Sequence, residues 1–587
     1  MIDTLIYWLY ILLVSCIALV PGFAIASQFK KLDISERLAI SFGFSFLIII
    51  LLTPLFVLKL DLLARFIIVL ITVASLFLLK QRLKDRDMEF NLDFVFLALV
   101  LIISLASRFF VQTIWDYPVM GGDWFMHGFA IPYQFELGDW TPPRDRPLFF
   151  NLLIYNYHRL FGTSLYQYWV TQIVSVVANS VLFIPSYLIG KKIFSDKVVR
   201  ISTAFMVICP YIVQHSVYTW PKNLAAYFIL LMVYFLFFRN GKSTDIKGDY
   251  ALAGFFAGLG YLIHNYTVIY IGTAILALLY KIHKENARNF LHEIRESKYL
   301  CFFLPMIAVV SPYLCWMYLS YGTLSAAHGA DFRTTSSFIY FPFAVKSLCL
   351  YNSPEEVFAA FFATPIHQII WIRICNVIVT LLPVSIPLNP LIYRFPSYDP
   401  VMYYDGSYPG FLSFGMYILV LIWFIRYLLK KTTSNAYIVM LIIIPFIFVT
   451  FLFGWILWGI HFMSFPTNPF LIMLGFNELY KTEIKPKTIA YITYLIFIGC
   501  LIEDIIYGWL TLRFRIMVGG AQELNSFVQK SVPSVQIYDV ISAHFLLDTN
   551  AEFLSNLIIS MLLIIFSVLL YFKIRGGHDE RQKTLTD

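Results

Sequence analysis

The stretch whose reading decides the fold is "MGGDWFMHGF", residues 120–129. It sets two glycines, an aspartate and a histidine just after an apolar run, 93–112, that is long enough to cross a bilayer. Gly121 and Gly122 let the backbone turn sharply off that run, and Asp123 falls where an N-cap residue would open a new helix. That helix is expected to run towards Glu136, with Trp124, Phe125, Phe129 and Ile131 as apolar surface, and it puts Asp123 and His127 on one face at i, i+4. Capping needs one carboxylate. The loop 113–165 holds Asp123, Glu136, Asp139 and Asp145, with Arg144 and Arg146 close by, which is more charge near lipid than a cap requires. After "TPP", "RPLFFNLLIYNYHRLFG" (146–162) reads as a second short helix lying in the membrane interface, its aromatic and arginine side chains at headgroup depth.

The rest of the chain explains why charge is informative here. Of 587 residues 59% are hydrophobic and 13% charged, against roughly 25% charged in soluble globular proteins. Apolar runs near 4–27, 38–58, 62–79, 93–112, 166–190, 201–218, 222–238, 250–264, 267–280, 300–319, 409–426, 435–458, 462–478, 488–510 and 554–572 suit helices crossing about 30 Å of hydrocarbon. The fold class is therefore an all-α polytopic membrane protein with about 13–15 transmembrane helices. The count depends on 250–280, where "HNY" separates two short runs that form either a crossing pair or a broken, re-entrant element. A barrel would show short alternating segments instead. Residues 4–27 are too long for a removable signal peptide and read as a retained first span. Seven cysteines show no CxxC and no metal-like spacing; Cys349 and Cys375 share a long loop.

The net charge of +8 is a topology signal rather than a nucleic-acid footprint, because no basic run stands free of the apolar segments. Alternate connections, from "KKLDISER" to the tail after Lys573, hold about 29 of the 43 Lys and Arg and are expected to face the cytoplasm. The N-terminus is then outside and the C-terminus inside the cell membrane, with outer loops near 113–165, 320–408 and 511–553. No cytoplasmic connection is long enough for a βαβ unit, and neither GxGxxG nor a P-loop occurs, so no nucleotide cofactor is expected. The organisation reads as a three-span extension (1–90), a core (91–320), an outer loop (321–408) and a C-terminal membrane region (409–587).

An acidic residue soon after a span, interfacial helices in the first outer loop and a "P-x-R-P-L"-like stretch before the next apolar run together resemble the GT-C superfamily of polytopic glycosyltransferases. That superfamily includes protein O-mannosyltransferases, aminoarabinose transferases and arabinosyltransferases. The resemblance covers residues 93–320. It implies a GT-C-like helical bundle and a polyprenyl-phosphate sugar donor, with a protein, lipid or glycan as acceptor. Two departures stand out. Relatives carry Asp-Glu or Asp-Asp where this chain has Asp123-Trp124, and three spans precede the loop where relatives usually have one.

An outward-facing transferase lacks cytoplasmic sugar nucleotides, which is why a lipid-carried donor fits. Its phosphate leaves readily once neutralised, whereas the acceptor hydroxyl needs a general base, for which Asp123 is the candidate. With one carboxylate and a single displacement, inversion is expected. Cations for the phosphate would come from Lys222 in "YTWPKN", where Pro221 starts a helix, from Arg333 in "HGADFR", and from Arg144 or Arg146, although a lysine at that depth can also simply snorkel. His127, His264 and His461 all fall near the outer face; converging, they would make a metal or a phosphate site, and spacing does not say which, so a divalent cation is left open. Glu136 completes the substrate-binding candidates. "YNSPEEVFAAFF", "FPSYDP" and "YYDGSYPG" in the long loop suit sugar stacking or an interfacial belt. The rival readings are a transporter or flippase of lipid-linked glycan, which would carry ionisable residues near the bilayer midplane and opposed repeats, and a non-catalytic assembly subunit.

Overall fold

Asp33 opens the second span through a capping box: its carboxylate accepts the N–H of Glu36 at 2.8 Å, and Glu36 accepts the N–H of Asp33 at 2.8 Å. Similar local rules start other helices, with proline in the first turn at Pro54, Pro132, Pro354 and Pro469. The computed structural model describes residues 2–84, 91–115, 126–141, 147–217, 219–239, 246–286, 297–321, 343, 345, 353–381, 414–429, 436–447, 466–482, 484–517 and 550–586. Among these no strand occurs.

In chain order the helices are α1 (Ile2–Ala26), α2 (Ile34–Leu51), α3 (Thr53–Val57), α4 (Asp61–Lys84) and α5 (Leu92–Trp115). A π-helical turn, Met126–Ala130, leads into α6 (Ile131–Glu136), followed by α7 (Phe149–Phe161), α8 (Tyr168–Asn179), α9 (Phe183–Ile193), α10 (Asp196–Ile208) and α11 (Pro210–Val217). Helix α12 (Lys222–Val233) continues as a π-helical turn to Phe238, and α13 (Ile246–Ile263), α14 (Thr267–Asn286) and α15 (Ser297–Tyr321) complete the core. Beyond it lie α16 (Pro354–Ala363), α17 (Ile366–Leu381), α18 (Phe414–Leu428), α19 (Ala436–Ile447), α20 (Asn468–Tyr480), α21 (Pro486–Met517) and α22 (Asn550–Thr586).

Among the described residues nine helices are long and apolar enough to cross a membrane, or up to eleven if each of two bent pairs counts as one span. The chain is a multi-pass membrane protein. The span Tyr168–Ile193 is wholly surrounded by protein, whereas Tyr299–Ser320 and Leu554–Arg575 bury only 11% of their apolar windows and face outwards. Over 250–280 the chain forms two separate helices, α13 with 18 residues and α14 with 20, each about 27–30 Å long, and of the two α14 is among the nine. Within the segment read as a long loop, α16 and α17 form a pair bent by 104°, which the loop reading did not foresee.

Alternation of the spans gives the bundle two chemically distinct ends. At the basic end, Arg239 bridges Glu36 and Asp249, and Asp93 gathers Tyr187, Lys191 and Arg200. Arg426 pairs with buried Glu478 at 2.7 Å at this end as well. The opposite end carries the loop after α5. Close packing in between depends on small residues: a Cβ on Gly254 would overlap the Phe302 carbonyl, and one on Gly258 would lie 2.8 Å from Val309 Cβ, so a Gly-xxx-Gly face brings α13 against α15.

Candidate active site

From Met126 to Glu136, the described part of the helix that the spacing suggests, the chain is not regularly α-helical. Met126–Ala130 winds as a π-helical turn and only Ile131–Glu136 is α-helical. Gly128 sits at the centre of that turn because nothing larger fits: a Cβ there would lie 2.5 Å from the Tyr168 hydroxyl and 3.0 Å from Thr219 Cγ2. Neighbouring helices clamp the turn. Asn151 Nδ2, on α7, donates to the His127 carbonyl at 3.0 Å and lies 3.3 Å from His127 Nδ1, and Thr171 Oγ1, on α8, donates to the Gly128 carbonyl at 3.3 Å. His158 Nε2 stands 2.9 Å from the same Thr171 hydroxyl.

Helix α7 was expected against lipid headgroups. It is instead buried almost all round, including Asn151, Asn156 and His158, so its aromatic side chains meet protein. It stops at Gly162, whose φ of +67° suits a residue without Cβ. Burial drives the imidazole of His158 down to a pKa of about 3, so it is neutral.

The second half of the site is the corner between α11 and α12. Lys222 begins α12 directly after Pro221, is 6% exposed, and holds its Nζ 3.6 Å above the Trp220 ring. Trp220 stacks on His215 with centroids 5.8 Å apart, and the Lys222 carbonyl accepts from Tyr266 Oη at 3.1 Å. The His264 ring is 4.8 Å from that of Tyr266, and His264 Nδ1 accepts the Tyr266 N–H at 3.3 Å. Tyr270 and Thr467 join their hydroxyls at 2.9 Å on the next turn of α14.

The contact of Gly128 with Thr219 joins the two halves. His127, Lys222 and His264 therefore belong to one continuous set of contacts at the end opposite the basic one. Glu136 does not: it lies exposed at the end of α6, near Arg159, which is held by both oxygens of Asp61 at 2.6 Å. Asp123, Arg144, Arg146, Arg333 and His461 lie outside the described residues. Among the described residues no group of three His, Cys, Asp or Glu could hold a metal ion. Asn151, Trp220 and Tyr266 were missed at the sequence level, although asparagine inside an apolar run was a usable signal for the first.

A buried ammonium on an aromatic wall at a helix start, with imidazoles alongside, is suited to an anionic or hydroxyl-rich ligand. Comparison with known proteins is consistent with that chemistry. Residues 145–316, from just before α7 into α15, match the family described as dolichyl-phosphate-mannose-protein mannosyltransferase. No curated protein matches the sequence. Among solved structures, the apo crystal structure of the Archaeoglobus fulgidus oligosaccharyltransferase matches with 13% identity over 77% of this chain and a TM-score of 0.45, a likeness too slight to build on. The chain spans 60% of the length of that oligosaccharyltransferase. Over residues 145–316, which include most of the helices that frame the site, the chain is similar to that family of mannosyltransferases.

Proposed function

We propose that the protein is a membrane glycosyltransferase that moves one sugar from a polyprenyl-phosphate donor to an acceptor hydroxyl outside the cytoplasm. The observation that supports this reading is the buried Lys222 over Trp220 at the start of α12, linked by a chain of contacts to the turn of His127 and to His264, with Lys222 and His264 inside the matched segment. In this reading the loop-bearing end faces outwards, as the basic end with its Lys and Arg would face the cytoplasm. Lys222 neutralises the departing phosphate. The N-terminal dipole of α12 acts in the same direction. Asp123, just ahead of the turn that presents His127, takes the proton of the acceptor hydroxyl, and a single displacement inverts the anomeric centre.

The test is direct. Purified protein, given a labelled polyprenyl-phosphate sugar and membrane-derived acceptors, is expected to release polyprenyl phosphate and label an acceptor. Asp123→Asn is expected to lower turnover by about 10²–10⁴-fold while donor binding persists. Movement of intact lipid-linked glycan between leaflets, without cleavage, would establish the flippase reading instead.

A further inference from the structure

We propose that Trp140, Glu136 and Arg159 form a platform beyond the end of α6 for a neutral sugar ring of the acceptor, its C–H face on the indole and its hydroxyls between carboxylate and guanidinium. The word acceptor rests on the glycosyltransferase reading; the binding of a sugar does not.

Two consecutive turns present Trp140. Gly138, at φ +84°, ends α6: its N–H donates to the Phe135 carbonyl at 3.1 Å, and the Asp139 N–H donates to the Gln134 carbonyl at 2.9 Å. The Asp139 carboxylate then accepts the Thr141 N–H at 3.0 Å and tightens the next turn. Trp140 is thereby folded back flat over Phe135, with ring centroids 4.9 Å apart and planes 4° from parallel. Tyr155, on α7, meets the indole edge-on at 5.5 Å. One indole face is thus covered by Phe135. The other meets no ring among the described residues, the indole N–H has no hydrogen-bond partner among them, and the residue is partly exposed.

Polar groups of both kinds stand around the same corner. The charges of Arg159, Asp61 and Glu136 all act on the Tyr155 hydroxyl, which places them about the ring that Trp140 touches. Glu136 is exposed and forms no hydrogen bond or ion pair among the described residues. Arg159 gives Nε and Nη2 to Asp61, each at 2.6 Å, which leaves Nη1 without a partner among the described residues on a side chain that is 28% exposed. Arg65 holds the corner in place by donating twice to the Arg159 carbonyl, at 3.1 and 3.0 Å. Acceptors and donors therefore surround one flat apolar face. A sugar offers the matching set, because each hydroxyl both donates and accepts and the ring C–H groups make an apolar side. A phosphate headgroup would want a surplus of cations, whereas Glu136 and Asp61 offset Arg159 and Arg65. Membership of an interfacial aromatic belt asks only for lipid around the indole and leaves the unpartnered carboxylate beside it unexplained. The turn that carries His127 lies at the other end of α6, six residues or about 9 Å along its axis, so a glycan lying along α6 would join the two.

Saturation-transfer NMR on full-length protein in nanodiscs, with mannotriose, maltotriose and cellotriose as probes, reads the platform without any transfer reaction. At least one probe is expected to take up saturation on its ring C–H protons. Trp140→Ala should weaken that binding at least about tenfold, as for an anchoring aromatic residue, and Trp140→Phe, which restores a flat ring, should recover part of it. Glu136→Gln removes no described contact, so it tests the platform even where Trp140→Ala fails to fold; about tenfold weaker binding is expected, the scale of a hydrogen bond to a charged group. Absence of binding for all the probes, or binding unaltered in Glu136→Gln, overturns the proposal. Saturation of a serine- and threonine-rich peptide in place of the sugars would give the platform to a protein acceptor and overturn it too. In transfer assays Glu136→Gln should raise the Michaelis constant for a glycan acceptor and leave that for the donor unchanged. If a probe binds at Trp140 and no sugar is ever transferred, the glycosyltransferase reading fails and the platform stands. If sugar is transferred with an unaltered acceptor Michaelis constant, the platform fails and that reading stands.

Discussion

Replacing Arg239 with methionine is the sharpest test of what holds the basic end together. Its guanidinium donates from Nε to Glu36 Oε1 at 3.1 Å, from Nη1 to Asp249 Oδ1, and from Nη2 to the Lys31 carbonyl at 2.7 Å. Tyr234 adds a donor to Glu36 at 2.5 Å. The side chains of Arg239, Glu36 and Asp249 are 7%, 6% and 2% exposed, so water does little to screen them. At an effective dielectric near 20, opposite charges 3.1 Å apart attract by about 5 kcal/mol, and desolvation cancels much of that. Deleting the cation is another matter, because two carboxylates then remain buried without it. The expected loss is about 3–5 kcal/mol, a large share of a total that is typically about 5–15 kcal/mol. Equilibrium unfolding in mixed micelles, followed by tryptophan fluorescence, measures it. The triple variant Arg239→Met, Glu36→Gln, Asp249→Asn should recover most of the loss, since it removes the stranded charges and a glutamine side chain at the third helical position still closes the capping box. A loss under about 1 kcal/mol for the single variant, or no recovery in the triple one, would refute the argument from buried charge.

Three further outcomes follow from the geometry. Lys222→Ala should raise the Michaelis constant for the donor at least about tenfold, and should also lower turnover, by a smaller factor, because the phosphate gains charge as it departs; an unaltered Michaelis constant takes Lys222 out of the phosphate site. Gly254→Ala should destabilise by about 1–3 kcal/mol because the new methyl overlaps the Phe302 carbonyl, whereas Gly272→Ala, with nothing within 4 Å, should be neutral or gain up to about 1 kcal/mol; equal effects at the two sites would show that α13 and α15 are not packed this closely. His158, held neutral by burial with a pKa of about 3, binds fewer protons folded than unfolded between pH 6.5 and 3, so stability falls as pH drops through that window. Unfolding at pH 7.5 and pH 5 should show about 2 kcal/mol more loss in the wild type than in His158→Gln, and parallel curves would mean the imidazole is not desolvated.

Much of this architecture was legible because lipid imposes one rule on every segment. Apolar length alone located the spans around 4–27, 62–79 and 300–319, which fall on α1, α4 and α15. What stayed hidden depended on neighbours that periodicity does not name. An amphipathic reading of 146–162 suggested a helix on lipid, but α7 is enclosed by protein, and its aromatic residues look the same in either setting. The i, i+4 spacing of Asp123 and His127 assumed a regular helix; the close approach of Tyr168 and Thr219 to Gly128 accompanies a π-helical turn instead. Lys222 was legible as a cation at a helix start because Pro221 precedes it, whereas its seat on Trp220 was not, since two adjacent residues say nothing about the corner that folds one over the other. Glu136 shared a short loop with His127 and yet ends at the surface beside Arg159, because α6 carries it away along its axis.

The buried asparagines show why the site lies where the helices are interrupted. Each interruption frees backbone groups in surroundings that offer no water, at a cost of several kcal/mol per group if they stay unpaired. At each one a side chain from elsewhere supplies the missing partner. Asn156 donates to the Ile49 carbonyl at 2.8 Å where α2 gives way to α3, and Asn179 accepts the Leu224 N–H at 3.0 Å at the start of α12. Asn223 donates to the Ile212 carbonyl at 3.1 Å across the α11–α12 corner. Arg108, 1% exposed, donates to the Val207 carbonyl at 3.1 Å beside the Pro210 break, where α10 and α11 meet at 57°. Asn151 does the same for the π-helical turn. Amide side chains are too costly in an apolar interior to be kept without such work. Irregular backbone at membrane depth is tolerated where protein or a cavity surrounds it, and the break at Gly128 lies against the α11–α12 corner through Thr219. The asparagines that repair the helices therefore also fix the path of the chain around the candidate residues, as Asn151 does for the turn that carries His127.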